Sequence, residues 1–424
     1  SKKTVVVGMS GGVDSSVSAY LLKEQGYKVV GLFMQNWQSE PGEVCTSEID
    51  FEDASKVCDM LDIPLHKANF SDEYWDRVFE EFLNEHKKGR TPNPDILCNR
   101  EIKFKSFLDY ALNIGADFIA TGHYASLNDV DGMKLLVRAK DLEKDQTYFL
   151  HEVKEKEFEK CIFPLENLLK TEVRKIAKKI NLPVSSKKDS VGICFVGERN
   201  LKDFLGRFIK LEKGIIYDEF GTEVGTHNGA TLFTKGQRQG LNIGGVRGRE
   251  DLPWYVFDKD IDKNEVFVCQ GINNELLFSK RLECENISWI NDIDHSFPKS
   301  YSVQVRHQHT PVDCKISVKD KIFDVEFSEP IRGVAPGQSA VFYDKNICLG
   351  GGIISKPENW GVLRQGIIIW IDTKQEIALE RLKKDIENRP LLQGKDLNDL
   401  YNQIFQSRKN LYSQADLRVE VNNE

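Results

Sequence analysis

The chain lacks any long apolar run. None of its 424 residues falls in a stretch approaching the roughly 18–20 consecutive apolar residues that span a bilayer, and the densest run, residues 366–371, is short. The N-terminal residues lead straight into Val5-Val6-Val7 without the apolar core and cleavage site of a secretory leader. Proline is scarce, 13 in all, which disfavours long extended linkers. Cysteine is neither abundant nor paired: the nine residues are an odd number, widely spread, and none forms a C-x-x-C pair. That excludes a secreted disulfide framework and disfavours structural zinc. A reducing, cytoplasmic setting is the expectation. The formal net charge of −8 argues against non-specific coating of nucleic acid, but leaves room for a local basic patch. There is no internal repeat and no low-complexity tract.

What is present is an ordinary globular balance, 40% hydrophobic and 29% charged, in a chain long enough for two to four domains. Up to about residue 208, strand-like and helix-like segments alternate. Residues 4–8, 28–34 and 117–121 read as strands; 13–24, 51–61, 72–86 and 100–113 read as helices. That alternation predicts a mostly parallel sheet covered on both faces. From about residue 211, short strands between Gly, Asn and Asp turns take over, as in Trp254-Tyr255-Val256-Phe257 and Ala340-Val341-Phe342-Tyr343. They predict small β domains or a barrel. Boundaries are expected near 208, 280 and 355, giving an α/β domain at 1–208, a small β domain at 209–280 and a β-barrel at 281–355. Residues 356–424 look like an added α/β piece, with a strand at 366–372 and helices at 375–385 and 397–411.

The strongest local signal is Gly8-Met9-Ser10-Gly11-Gly12-Val13-Asp14-Ser15-Ser16, which follows the first strand and opens the first helix. Glycines let the backbone approach an anion, and a helix N-terminus supplies free N–H groups and a favourable dipole. Asp14 is unusual in a phosphate cradle unless it holds Mg²⁺ or caps the helix. No G-x-x-x-x-G-K-[ST] and no G-x-G-x-x-G occurs in the chain. The S-G-G-x-D-S pattern resembles the PP-loop of ATP pyrophosphatases. This resemblance implies ATP bound at the C-terminal edge of a parallel sheet, cleaved between its α and β phosphates. Met34 and Gly122 end or follow strands at that edge, where they serve either the adenosine or plain packing.

Two cysteines stand apart from the rest. Cys98 follows the stiff segment Thr91-Pro92-Asn93-Pro94-Asp95 and precedes Arg100 and Lys103, a setting that favours a thiolate. Asp95, three residues earlier, is placed to accept a proton. Cys194 lies in Asp189-Ser190-Val191-Gly192-Ile193-Cys194-Phe195-Val196-Gly197, with Lys187, Lys188 and Arg199 nearby. Cys58, Cys161, Cys269, Cys284, Cys314 and Cys348 read as buried small hydrophobes, and Cys45 lies in a polar loop.

The phosphate loop, the T-P-N-P-D-x-L-C-N block, the D-S-x-G-I-C-F-x-G block and Lys144-Asp145-Gln146-Thr147-Tyr148 occur together and in order. In combination they resemble the tRNA-specific 2-thiouridylase family over residues 3–355. The resemblance implies a sulfurtransferase that replaces the 2-oxygen of the wobble uridine of certain tRNAs with sulfur. It implies that Gly8, Met9, Ser10, Gly11, Gly12, Val13, Asp14 and Ser15 bind ATP with Mg²⁺, with Met34 and Gly122 near the nucleoside. Cys194 would carry a persulfide supplied by a sulfur-relay protein or cysteine desulfurase. Cys98 would release the product and leave a Cys98–Cys194 disulfide. Asp95 would be the general acid/base, and Asn93, Pro94 and Asp95 would contact the target base. His123, Lys144, Asp145, Gln146, Arg306, His307 and Gln338 would contact tRNA; the family has Arg-Tyr where this chain has Arg306-His307. The basic groups at 86–90, 178–179 and 187–188 are further candidates for phosphate contact.

Residues 362–424 depart from that family. The segments 366–373, 388–392 and 408–416 resemble the C-terminal third of shikimate kinase, without its phosphate loop or first half. No kinase activity is expected of a lid segment without a nucleotide site. The competing readings of the whole chain are another PP-loop enzyme, either a synthetase or a different tRNA thiolase, and a tRNA-binding module without catalysis.

Overall fold

The computed structural model describes residues 2–37, 46–189, 201–245, 248, 251–293, 295–357 and 369–384, with 396, 398–399, 401–402, 405–406 and 417–421 of the tail. It divides into two compact units. One comprises Ser1–Lys210, Leu282–Glu329 and Pro336–Ser355; the other comprises Leu211–Arg281, Pro330–Ala335 and Lys356–Glu424.

In the first unit a parallel sheet is built from β1 (Thr4–Gly8), β2 (Lys28–Gln35), β3 (Leu65–Asn69), β4 (Phe118–Ala120) and, after a hairpin of β5 (Ala125–Val130) and β6 (Met133–Arg138), β7 (Cys161–Ile162). Its order is β3-β2-β1-β4-β7. The strands are short, β-branched and buried on both faces, as a helix-covered parallel sheet requires. Helices α1 (Val13–Glu24) and α2 (Thr46–Leu61) cover it, and Val5, Val7, Val17, Leu22, Val57 and Leu61 belong to one core. The order reverses at β1, where β2 lies on one side and β4 on the other. A switch point of this kind opens a crevice at the carboxyl ends of the strands.

Two expected helices are wound differently from the α-form. Between α3 (Ser71–Tyr74) and α4 (Glu80–Lys87), residues Trp75–Phe79 form a π-helix. Between α5 (Pro94–Cys98) and α6 (Phe107–Asn113), residues Asn99–Ser106 form another, which begins immediately after Cys98. Such wider turns gather at functional sites.

The later strands of this unit close a barrel: β12 (Phe278–Trp289), β15 (Ile322–Arg332), β14 (Val312–Lys319), β13 (Lys299–Gln304), β16 (Ser339–Asp344) and β17 (Ile347–Pro357), with β17 pairing back to β12. The β5–β6 hairpin joins it as well, Val137 opposite Ile347 and Leu136 opposite Cys348. The α/β and barrel segments therefore share hydrogen-bonded strands, which the spacing of motifs along the chain does not reveal.

The second unit holds a four-stranded sheet, β10 (Trp254–Asp260), β11 (Glu265–Gln270), β8 (Gly214–Asp218) and β9 (Glu223–His227), over Ile216, Phe233, Val256, Val266 and Val268. In the tail, β18 (Ile369–Thr373) runs parallel to β19 (Leu417–Val421), Arg418 donates from Nε to Asp372 at 2.8 Å, and Gln375–Lys384 is helical. Of the helix expected at 397–411, residues Asn398, Asp399, Tyr401, Asn402, Phe405 and Gln406 are helical; the others lie outside the described residues. Among the described residues no helix is long and apolar enough to cross a membrane.

Candidate active site

The phosphate loop leaves β1 at Gly8 and enters α1 at Gly12, whose own side-chain position can supply no cap. The first N–H groups of α1 are left for a ligand. Gly11 has φ +72°, and a Cβ there would lie 2.3 Å from the Asp50 carbonyl oxygen. Gly122, directly after β4 and Thr121, presses on the start of α1: a Cβ would lie 2.8 Å from Ser15 N. A Cβ on Gly8 would meet Met34 Cε at 3.1 Å and Phe107 Cε1 at 3.3 Å. Met34 and Gly122 thus both lie beside the loop. Within it, Ser10 N donates to Ser15 Oγ at 3.2 Å, and Ser16 Oγ donates to the Gly12 carbonyl at 2.7 Å. These bonds hold the turn without using the helix N–H groups.

Asp14 is part of a charge network. Lys170, the first residue of α7 (Lys170–Lys179), donates from Nζ to both Asp14 oxygens at 2.8 and 2.7 Å. Tyr124 OH donates to Asp14 Oδ1 at 2.9 Å. Lys170 also pairs with Asp189 Oδ1 at 2.9 Å, an oxygen that Arg174 shares, while Lys144 meets Oδ2. Burial works against ionisation of Asp189, but the hydrogen bonds and charges of Lys170, Lys144 and Arg174 prevail and hold its pKa to about 2. On the other flank Lys187 Nζ donates to the Gly11 carbonyl at 3.1 Å, Asp50 at 2.8 Å and Asp53 at 2.7 Å. None of Tyr124, Lys170, Arg174, Asp50 or Asp53 stood out in the sequence. Their partners lie far away along the chain, and only Asp189 and Lys187, which flank the Cys194 block, carried a local signal.

Cys98 ends α5 and is buried, 2% exposed. Asn93 caps that helix, its Oδ1 accepting from Asp95 N at 3.1 Å, and Pro94 opens it. Asn99 Nδ2 donates to the Phe149 carbonyl at 3.0 Å. Arg100 does not serve Cys98 as an open cation: it pairs with Glu101 at 2.9 Å, Glu152 at 2.5 Å and Glu81 at 3.8 Å. Lys103 is the cation that acts on Asp95 and on His123.

Burial raises the Asp95 pKa above the ordinary aspartate value, with Lys103 and His307 opposing it. A raised carboxyl pKa stabilises the fold where the group is protonated, and this stabilisation is lost as pH rises through the folded value. Once ionised, the carboxylate therefore works against folding. Asp95→Asn is expected to raise the melting temperature at pH 7.5, with the gain shrinking as pH is lowered, while reducing thiolation at least about 10²-fold, the scale of a lost general acid/base. Melting curves at several pH values and initial rates check both arms.

The remaining candidates divide by burial. His123 is 7% exposed, shares a hydrogen bond of 2.7 Å with Thr121 and packs against Phe104 and Phe163. Desolvation, with Lys103, keeps it neutral. Asp145 is buried and accepts from Ala139 N at 2.9 Å and Thr147 Oγ1 at 2.6 Å. Gln146 exchanges bonds with the Tyr124 backbone, while Lys144 stays exposed beside Asp189. His307 Nε2 donates to the Asp145 carbonyl at 3.0 Å, and its ring lies 4.4 Å from Phe149. Gln304 holds the turn at Arg306 and His307 through both carbonyls. Gln338 Nε2 donates to the Thr91 carbonyl at 2.6 Å, tying the barrel to the segment before Asn93. Asp95, Cys98, Lys103, His123 and His307 thus belong to one neighbourhood, and Gly122–His123 links it to the phosphate loop. Among the basic groups, Lys88 and Arg90 both pair with Glu85.

Cys194 and Cys45 lie outside the described residues. The six cysteines read as packing residues are all buried. Burial pushes the thiols of Cys58, Cys269 and Cys314 up to about 12 and those of Cys161, Cys284 and Cys348 up as well. That keeps them protonated and unreactive.

A doubly covered parallel sheet, an S-G-G-x-D-S loop at its switch point and glycines cleared for phosphate define a PP-loop enzyme of the ATP pyrophosphatase class. Family models extend this along the chain: tRNA methyl transferase HUP domain at 3–198, tRNA methyl transferase PRC-barrel domain at 202–270, aminomethyltransferase beta-barrel domain at 279–354 and shikimate kinase at 340–424. The tRNA-specific 2-thiouridylase MnmA of Pseudomonas fluorescens Pf0-1 is 54% identical over 361 residues, 85% of this chain and 96% of that protein. The protein of the same name from Pseudomonas savastanoi pv. phaseolicola is 53% identical, over 84% of this chain and 96% of its own. The chain belongs to the tRNA-specific 2-thiouridylase family, MnmA. Among solved structures, a U34-tRNA thiolase from Methanococcus maripaludis aligns over 48% of this chain and 62% of its own at 21% identity, with a TM-score of 0.31 that adds nothing to the assignment.

Proposed function

We propose that this protein is a tRNA-uridine 2-sulfurtransferase acting on the wobble uridine. The observation that supports the reading is a phosphate loop beside Gly122–His123, in the neighbourhood of a buried Cys98 with the buried Asp95 carboxyl one turn earlier. The reaction uses ATP to turn the uracil 2-oxygen into a leaving group. That oxygen attacks the α-phosphorus, diphosphate departs and the base is adenylated. The terminal sulfur of a Cys194 persulfide attacks C2, and AMP leaves. The Cys98 thiolate then attacks Cys194 Sγ, the bridging S–S bond breaks, and 2-thiouridine is released with a Cys98–Cys194 disulfide. A dithiol reductant returns both cysteines, and a sulfur-relay protein or cysteine desulfurase recharges Cys194. Asp95 handles the proton at the base. The uridine must leave the anticodon stack to reach these groups.

Mg²⁺ fits this site as a partner of the ATP phosphates. The described residues contain no cluster of three or more His, Cys, Asp or Glu able to cage a metal, and Mg²⁺ typically takes one or two carboxylates plus phosphates. Both Asp14 oxygens already accept from Lys170, so Mg²⁺ would be held by the ATP phosphates, whose charge it would neutralise when bound. Lys144, Arg306 and His307 are the candidates for tRNA contact at the edge of the site; His123, Asp145, Asn93 and Gln338 support its walls. The work is that of a cytoplasmic enzyme.

The test is tRNA-dependent release of AMP from ATP labelled at the α-phosphate. AMP formed only with tRNA bearing an unmodified wobble uridine supports the reading; AMP formed equally with tRNA whose wobble uridine is replaced by cytidine contradicts it. The tail is outside this chemistry, since the relatives are matched over 96% of their length without it. Removing residues 358–424 is expected to leave the thiolation rate within about threefold, as for loss of a segment outside the site. Initial rates of the truncated chain check this.

A further inference from the structure

Asp14 sits where the polyphosphate must lie, and an unpaired carboxylate there would repel an anion carrying several charges. The described structure answers this with Lys170. Its side chain is 13% exposed and its Nζ meets both oxygens of Asp14. The same Nζ is held from behind by Asp189, which Arg174 and Lys144 also pair with. The backbone N–H of Lys170 donates to Asp141 at 2.8 Å, so the residue is fixed at its root as well as at its tip. Tyr124 gives Asp14 Oδ1 a further donor and places its ring 5.7 Å from the ammonium. Gly122 leaves room for this arrangement, because a Cβ there would lie 3.1 Å from Asp14 Cβ. A surface ion pair needs no such scaffold. The geometry resembles a charge held in place before the anion arrives.

We propose that Lys170 is a positioning residue for ATP: clamped by Asp189, it neutralises and orients Asp14 so that the phosphate loop accepts the polyphosphate. This rests on reading the loop as an ATP site. Lys187 does not substitute for it, since its ammonium is bound to Asp50, Asp53 and the Gly11 carbonyl, not to Asp14.

The experiment is direct ATP binding by calorimetry, with Mg²⁺ and without tRNA, on wild type, Lys170→Met and Lys170→Arg, followed by KM for ATP and for tRNA. Lys170→Met keeps the apolar stem and removes the charge. The expected result is an ATP Kd and KM raised about tenfold or more, the scale of one lost charge contact, with the tRNA KM within about twofold and most of the ATP affinity restored in Lys170→Arg. A purely structural role would lower the melting temperature and kcat together and leave the ratio of the two KM values unchanged. Unchanged ATP affinity in Lys170→Met overturns the proposal, and so does equal weakening of ATP and tRNA. If Lys170→Met does not fold, Asp189→Asn loosens the clamp from behind: a rise in ATP Kd of about threefold supports the proposal, and no change overturns it. Wild-type protein that binds no ATP overturns this proposal together with the reading of the loop, whereas wild-type binding with indifferent variants overturns this proposal alone.

Discussion

Cys98→Ala is expected to reduce multiple-turnover formation of 2-thiouridine at least about 10³-fold, as loss of a nucleophile does, while leaving the first turnover of AMP intact. Cys98 is buried at the end of a capped helix, and the residue after it is tied to the Phe149 carbonyl. It enters the proposed sequence only after AMP has left. The variant should therefore release about one AMP per enzyme and stop with the tRNA joined to Cys194 through a disulfide. That adduct should appear as a protein–tRNA band that dithiothreitol abolishes. The assay needs a protein persulfide donor, since free sulfide can bypass the second cysteine. Release of free 2-thiouridine by Cys98→Ala with such a donor and without a dithiol reductant would remove Cys98 from the mechanism. Cys194→Ala should still release diphosphate and adenylate the tRNA, but without the attacking sulfur it should give neither AMP by displacement, nor product, nor adduct.

The second large effect is expected at Gly122. Alanine there would place a Cβ 2.8 Å from Ser15 N and 2.9 Å from the Asp14 carbonyl carbon. Both obstacles are backbone, so no rotamer change relieves the clash. Either the segment after β4 or the start of α1 must move, and both carry the site. A displacement approaching 1 Å in a positioned site costs on the order of 10²-fold in rate. Gly122→Ala should weaken ATP binding on that scale, measured by calorimetry, while the circular dichroism spectrum stays native. Wild-type ATP affinity in this variant would mean that the loop and the β4 edge do not form one cradle.

Much of this arrangement is legible in the sequence because its signals are local. The phosphate loop is one run of nine residues joining a strand to a helix, and the alternation of strands and helices around it implies the parallel sheet. The β texture after residue 211 foretells the sheets and the barrel. What could not be read is set by contacts between distant segments. Lys170 meets Asp14 across 156 positions, and Lys187 meets Gly11 across 176. Arg100 looked like a cation for Cys98 because it is two residues away, yet Glu81, Glu101 and Glu152 converge on it. Asp145, a tRNA contact by resemblance, is buried and accepts from Ala139 N and Thr147 Oγ1. The π-helical stretches at Trp75–Phe79 and Asn99–Ser106 follow the same apolar periodicity as α-helices over so few turns, so the pattern does not separate them. The β5–β6 hairpin is local, but its pairing with β17 is not.

The tail carries a second family's pattern without its nucleotide site. Its described core is the parallel pair β18–β19 with the Asp372–Arg418 ion pair, and residues 388–392 and 408–416, which resemble parts of the shikimate kinase fold, lie outside the described residues. The shikimate kinase model spans 340–424 and overlaps the last barrel strands, Ser339–Asp344 and Ile347–Pro357, which belong to the thiouridylase architecture. Those strands pair within the barrel, so the tail is an addition after it.

The central claim is that ATP cleavage and sulfur transfer are consecutive steps on one uridine. The most direct measurement incubates the full chain with ATP, Mg²⁺, a persulfide donor protein, a dithiol reductant and tRNA bearing an unmodified wobble uridine, and counts both products by mass spectrometry. The account predicts 2-thiouridine at the wobble position and AMP in equal amounts, both lost when ATP is omitted. AMP accumulating without 2-thiouridine, with donor and reductant present, would contradict it.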